Sequence, residues 1–272
     1  MASSADKLVP SDPEQVMVIR KITPDITICS TPFRRFGKVK IGGRGTIVRL
    51  QTGNVAVFSP VALTDSVKRE TQSLGNVKYL VAPDQEHHIF VEEWHKAYPE
   101  ASVIGPDTLP GLRKKQGYLE IPAALWKPFI ANKPLSISEE FDREFDSEYV
   151  HSHANKELVF NHKPSGTLIE ADLIFNLPAT EQMSKSGESA ETGVLTKIFN
   201  SLQNTHGDAK AQKRFLWYAM SAADRPAFNA SMRKINSWQF DRIIPCHGDV
   251  IETGGKGIFE KIMEWHLKGE KQ

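Results

Sequence analysis

Val77-Lys78-Tyr79-Leu80-Val81-Ala82-Pro83-Asp84-Gln85-Glu86-His87-His88-Ile89-Phe90 runs an apolar segment straight into a turn that holds two acids and two adjacent histidines. Five residues from Val77 to Val81 read as a buried strand. The segment after the turn, Ile89 to Tyr98, carries Phe90, Trp94, Ala97 and Tyr98 at helical spacing. The order is therefore strand, polar loop, helix, and strand ends that face a shared crevice are where sites collect. A metal-binding loop and a plain polar turn are both consistent with the stretch alone.

Upstream, the pattern is β-like at Val16 to Ile19, Ile26 to Ser30, Gly45 to Leu50 and Val55 to Phe58, with Gln51-Thr52-Gly53-Asn54 as a hairpin turn. Thr64 or Asp65 caps a helix to about Ser73. Downstream, Ala101 to Ile104 reads as a short strand, and residues 106–134 read as an irregular excursion rich in Pro, Gly, Lys and aromatics. Strands return at Glu148 to Ser152, Glu157 to Phe160 and Thr167 to Phe175. Residues 179–192 are small and polar, as in a mobile loop. Helices follow at 193–203, at 209–222, after an Asp224 N-cap with Pro226 in the first turn, and over Lys256 to Leu267, with a strand at Arg242 to Pro245. Strands first and helices later, twice over, indicate a layered α/β or α+β fold. The expected organisation is a flexible N-terminal arm over residues 1–15 and a single domain over 16–272.

Composition excludes several function classes. The 34 Lys and Arg nearly cancel the 33 Asp and Glu, giving a formal charge of +1, and no basic run marks a nucleic-acid partner. No segment has the apolar length of a membrane span or a signal peptide, so neither a membrane partner nor export is expected. Cys29 and Cys246 are far apart and fit a reducing, cytoplasmic setting rather than a disulfide or zinc-ribbon framework. No Gly-x-Ser-x-Gly elbow or phosphate-binding glycine loop is present.

Two further stretches carry candidate chemistry. His247 follows the strand Arg242-Ile243-Ile244-Pro245 and precedes Gly248, which lets the backbone turn sharply. Asp172 sits among apolar neighbours in Gly166-Thr167-Leu168-Ile169-Glu170-Ala171-Asp172-Leu173-Ile174-Phe175. A buried carboxylate needs an ion, a cation or backbone donors; otherwise Glu170 and Asp172 lie on an exposed edge. His151 and His153 share a face if they lie on a strand, whereas His95 and His266 read as rim or surface rings on helices.

Taken together, these segments resemble the metallo-β-lactamase superfamily over about Val16 to Trp265. The resemblance implies a four-layer αββα sandwich with metal ligands on loops at one edge of the sheets. His162, Asp172 and His247 are similar to that family's last three ligands. The loop after Val81 departs from the His-x-His-x-Asp-His pattern, because Pro83 and Gln85 stand at the first two histidine positions and His87 at the aspartate. It looks closer to a poorly characterised branch of domain-of-unknown-function families with a Pro-Asn/Asp-x-x-His-His loop. Gly43-Arg44-Gly45-Thr46, Phe58-Ser59-Pro60-Val61 and Asn161-His162-Lys163-Pro164-Ser165 resemble that branch too.

The set that the resemblance leaves, His87, His88, His162, Asp172 and His247, suits one transition-metal ion, zinc first, with iron or manganese as alternatives. Asp84 is the candidate base. The implied function is a metal-dependent hydrolase acting on a small, largely neutral ester, lactone or thioester through a metal-activated water. A non-catalytic binding or regulatory protein with a degenerate metal site is the alternative, and an iron-dependent redox enzyme the third.

Overall fold

The computed structural model describes residues 12–134 and 136–271. Thirteen strands follow in chain order: β1 Val18–Thr23, β2 Ile26–Thr31, β3 Arg34–Arg35, β4 Val39–Lys40, β5 Gly43–Arg49, β6 Asn54–Phe58, β7 Asn76–Val81, β8 Ser102–Pro106, β9 Trp126–Phe129, β10 Phe145–Val150, β11 Glu157–His162, β12 Thr167–Ile169 and β13 Arg242–Ile244. The α-helices are α1 Pro13–Val16, α2 Asp65–Leu74, α3 Val91–Ala97, α4 Leu109–Lys115, α5 Glu139–Glu144, α6 Thr180–Met183, α7 Val194–Leu202, α8 Lys210–Phe215, α9 Arg225–Asn236, α10 Gly255–Ile262 and α11 Glu264–Lys268.

A seven-stranded sheet in the order β1-β2-β5-β6-β7-β8-β9 faces a four-stranded sheet in the order β10-β11-β12-β13. Strand alternation explains the layering. On β6, Ala56 and Phe58 join the core between the sheets with Tyr79, Phe141, Phe145 and Phe160, while Val55 and Val57 point to the opposite face. That outer face is covered by Val67 and Leu74 of α2, Val91 and Trp94 of α3, and Leu109 of α4. On the smaller sheet, Ile169 and Ile244 face inward, while Leu168 and Ile243 meet Phe228, Met232 and Ile235 of α9 and Phe259 and Ile262 of α10. The result is the αββα sandwich.

Both sheets contain parallel pairs whose carboxyl ends point the same way. Phe58 lies opposite Val81 and Val81 opposite Ile104, and Ile169 lies opposite Ile244. The two rows of strand ends are tied together across the sandwich. The N–H of Leu158 donates to Pro83 O at 2.6 Å, and that of Gln85 to Asn155 O at 3.0 Å. The loops after β7, β12 and β13 thus share one edge.

Local capping follows the sequence. Thr64 accepts from the Val67 N–H at the start of α2, and Asp224 from the Ala227 N–H at the start of α9. Most of the expected arm over residues 1–15 lies outside the described residues; within them, Asp12 caps α1. Other expectations need correction. The excursion at 106–134 contains α4 and β9, and α5 precedes β10. The strand expected to reach Phe175 stops at Ile169, because the Glu157 carboxylate accepts from the N–H groups of Ala171 and Asp172, and Glu170 from those of Leu173 and Ile174. Four donors that a ladder would use are taken by two buried side chains. His95 and His266 are buried rather than on the surface, and His151 and His153 lie in the turn after β10.

Candidate metal centre

Each of the three shared loops brings one ligand-type side chain to the same point. His87 comes from the loop after β7, Asp172 from the loop after β12 and His247 from the loop after β13, and one donor atom of each lies within 4.8 Å of the other two. The two Nε2 atoms of His87 and His247 stand 3.1 Å apart. Asp172 Oδ1 is 3.2 Å from His247 Nε2 and 4.0 Å from His87 Nε2. Tetrahedral ligands about 2.0–2.2 Å from one ion sit roughly 3.3 Å from each other. The triangle fits.

The surrounding hydrogen bonds fix which atoms face inward. Both oxygens of Asp84 lie 2.9 Å from His87 Nδ1, and its Oδ1 also accepts from the N–H groups of Glu86 and His87 at 2.7 Å. His87 therefore donates through Nδ1 to a carboxylate and directs the Nε2 lone pair at the cluster. His247 Nδ1 is 2.7 Å from Gly42 O, a carbonyl that can only accept, so its Nε2 is also a lone pair. Asn155 Nδ2 donates to Asp172 Oδ2, and the buried Oδ1 has no hydrogen-bond partner. Three acceptors converge without a donor between them, an arrangement that needs a cation or a proton.

Charge in the loop cluster is consistent with that need. Asp84, Glu157, Glu170 and Asp172 are all buried. Burial pushes Glu157 and Glu170 well above the usual carboxylate range, with Glu170, Asp84 and Asp172 adding to it for Glu157 and Asp172 for Glu170. Burial acts against ionisation of Asp172 as well, but His87 and His247 outweigh it and hold its carboxyl low. Burial opposes charge on His87, yet Asp84 and Asp172 raise its pKa to about 9. Without a metal, a proton on His87 takes the cation's place.

The His247 segment is braced from four sides. The buried Arg44 guanidinium donates from Nη1 to Pro245 O and to Gly248 O, both at 2.7 Å. Gln182 donates to Cys246 O at 2.7 Å and accepts from the Gly248 N–H at 2.9 Å. The His247 ring lies between Phe175, centroid 5.1 Å, and Phe33, centroid 6.2 Å. Gly248 has φ 91°, and a Cβ there would stand 2.1 Å from Asn176 O, so no other residue fits the turn. Gln182, in the segment read from sequence as a mobile loop, is fully buried.

Two expected ligands do not join. His88 turns to Arg113, whose Nη1 donates to His88 Nδ1 at 3.2 Å and to His88 O at 3.0 Å, and its ring stands edge-on to Tyr118. Burial and Arg113 lower its pKa to about 4, so it is a neutral core ring. His162 ends β11, whereas the site lies beyond the Glu157 end, five residues away, or roughly 16 Å along a strand. There His162 Nδ1 meets Ser165 Oγ at 2.8 Å, and Nε2 lies 3.6 Å from Glu144. Asp84 is likewise not placed as the expected proton acceptor. It is fully buried, and its oxygens serve His87 and two backbone N–H groups.

Sequence reasoning missed Asn155, Gln182, Arg44 and the Gly42 carbonyl, since each acts through a long-range contact that no local pattern announces. Glu157 could have been flagged, because it opens the apolar strand Leu158-Val159-Phe160 as Asp172 interrupts another.

The fold defined by these layers is that of the metallo-β-lactamases. The VMB-1 structure matches with a TM-score of 0.59 at 11% identity, covering 94% of this chain and 98% of that one. The mono-zinc form of FIM-1 from Pseudomonas aeruginosa matches at 0.57 and 11% identity, covering 93% of this chain and 96% of that one. The metallo-β-lactamase from Pontibacter korlensis also matches at 0.57 and 11%, covering 92% and 98%. The family model described as domain of unknown function DUF4336 matches residues 34–224, and the chain belongs to that family. No curated protein matches the sequence.

Proposed function

We propose that His87, Asp172 and His247 hold one transition-metal ion and that the protein is a hydrolase for a small, largely neutral ester, lactone or thioester. The observation that carries the reading is the convergence of His87 Nε2, His247 Nε2 and the unpartnered Asp172 Oδ1 on one point, with each ring's Nδ1 already bonded to an oxygen acceptor. The mixed nitrogen and oxygen set suits zinc, with iron or manganese as alternatives.

When bound, such an ion would lower the pKa of a water towards about 7 and polarise a carbonyl. The chain's own residues supply orientation. Asp84 fixes the tautomer of His87, Gly42 O that of His247, and Asn155 the rotamer of Asp172. Phe33 and Phe175 flank His247 and give a substrate an apolar wall that excludes water.

The arrangement of His88 favours a second reading, a binding or regulatory protein whose incomplete metal site has lost its chemistry. Metal analysis of protein purified without added ions, together with turnover of an ester and thioester panel, separates the two. The hydrolase requires near-stoichiometric metal and turnover, both lost in His87→Ala and Asp172→Ala. Less than about a tenth of an equivalent of any transition metal, with stability unchanged by chelator, would sink it.

A further inference from the structure

Beyond the metal centre, and independent of its chemistry, the structure assigns a docking surface for an anionic lipid bilayer to the β3–β4 hairpin and α7. Five of the eight large apolar side chains exposed among the described residues lie there: Phe36, Val194, Leu195, Ile198 and Leu202. On α7 the four aliphatics fall within one sector of about 100°, the stripe that a helix ordinarily turns to the core. Here Val194 is 75% exposed and the others about half, while Thr196 faces inward and accepts from the Lys40 N–H.

The hairpin tip repeats the anomaly in a different way. Phe36 and Gly37 occupy the turn with φ 54° and 69°, the conformation in which Asn-Gly is physically preferred. A bulky residue at positive φ is strained, and this one leaves its ring 83% exposed. Within the fold the Arg35 guanidinium lies over the ring, 5.2 Å from its centroid, a contact worth about 0.5–1 kcal/mol at an exposed site, so folding gives little reason for a phenylalanine in this turn.

Charge identifies the occupant. The hairpin Arg34-Arg35-Phe36-Gly37-Lys38-Val39-Lys40 contains four basic residues and no acid, and the only charge on α7 is Lys197. Arg34 and Lys40 pair with Glu188, and Arg35 with Glu86 at 3.3 Å. Lys38 and Lys197 are exposed and have no carboxylate partner among the described residues. Aromatic and aliphatic side chains flanked by free lysines match an anionic interface rather than a neutral apolar partner. The sequence gives no reason to expect a membrane partner because it lacks a span, but a surface contact needs none.

Position gives the surface a consequence. Phe33, Val39 and Phe199 pack on the cluster that contains Phe175, which stacks on His247. The patch therefore borders the candidate metal centre, and docking would present that centre to molecules at the bilayer surface.

Flotation of the full chain with vesicles of phosphatidylcholine, alone or mixed with phosphatidylglycerol, tests the assignment. Binding to the mixed vesicles is expected, weakened by salt and by Lys38→Glu, and absent on phosphatidylcholine alone. Phe36→Asn suits the turn better than phenylalanine, so it should leave thermal stability equal or higher while lowering partitioning at least about tenfold. Leu195→Asp should do the same to partitioning. No flotation on anionic vesicles, or equal flotation of Phe36→Asn, overturns the proposal. So does a dimer in light scattering that Leu195→Asp dissolves, since a second copy would then cover the face.

Discussion

Asp84 has no access to solvent, and its geometry decides what the neighbouring histidine can do. A carboxylate on Nδ1 makes Nε2 of His87 a lone pair and raises its basicity, which is the usual outer partner of a ligating histidine. Asp84→Asn should keep the turn, since an amide oxygen can still accept from the Glu86 and His87 N–H groups, but it should weaken zinc affinity by about 10- to 100-fold. Competition titration with a chelating dye measures this, and circular dichroism confirms the fold. The raised pKa of His87, about 9, adds a second prediction at the same scale. Metal must displace the proton that burial opposes but Asp84 and Asp172 retain, so uptake should release about one proton per ion at pH 7 and affinity should climb as pH rises towards 9. Calorimetry in buffers of different ionisation enthalpy counts the proton. A pH-independent affinity would argue against His87 as a ligand.

Among elements, the loop after β12 is held open by side chains that no strand pattern predicts. Glu157 accepts two backbone N–H groups there, at 2.8 Å from Ala171 and 3.1 Å from Asp172. Glu157→Leu would strand both donors in the core at a cost of roughly 2–6 kcal/mol, whereas Glu157→Gln retains one acceptor and should cost less than half as much. Urea denaturation distinguishes the two, and equal losses would show that the hydrogen bonds from Ala171 and Asp172 do not carry the effect. The same loop shows what was legible in the sequence. Period-two and period-3.6 patterns placed β2, β5, β6, β7, α2 and α9 close to their observed bounds, because each depends on a local apolar face and a local cap. Thr167 to Phe175 reads as one strand because its apolar residues continue past the acids Glu170 and Asp172; what ends it lies in Glu157 of another strand. His247 directly follows a buried strand, Asp172 interrupts an apolar run, and His87 lies in the polar loop after Val81. His162 also follows a buried run, but at the wrong end of its strand, and the direction of β11 is a property of the sheet rather than of the segment. His88 adjoins His87, and only Arg113, 25 residues on, turns it away.

For the molecule as a whole, buried neutral histidines set the response to acid. His88 and His266 are nearly inaccessible, and burial, helped by Arg113 for the first and Arg225 for the second, lowers each pKa to about 4. In the unfolded chain the same rings titrate near 6.5. Between those values the unfolded state binds more protons at these two rings than the folded one, so the stability that they contribute is full above about pH 6.5 and falls as pH drops towards 4. A shift of this size contributes at most about 3 kcal/mol per ring. Denaturant midpoints measured from pH 7.5 to 4 should therefore decline with a slope that Arg113→Met makes shallower, because removing the cation eases protonation of His88 in the folded state. The buffer should contain chelator, so that release of metal from His87, Asp172 and His247 does not add to the slope. Repeating the series with saturating zinc should steepen it, since the loaded protein gains stability by mass action only while those ligands remain deprotonated. If zinc leaves both the slope and the midpoint at pH 7.5 unchanged, the three side chains do not bind it.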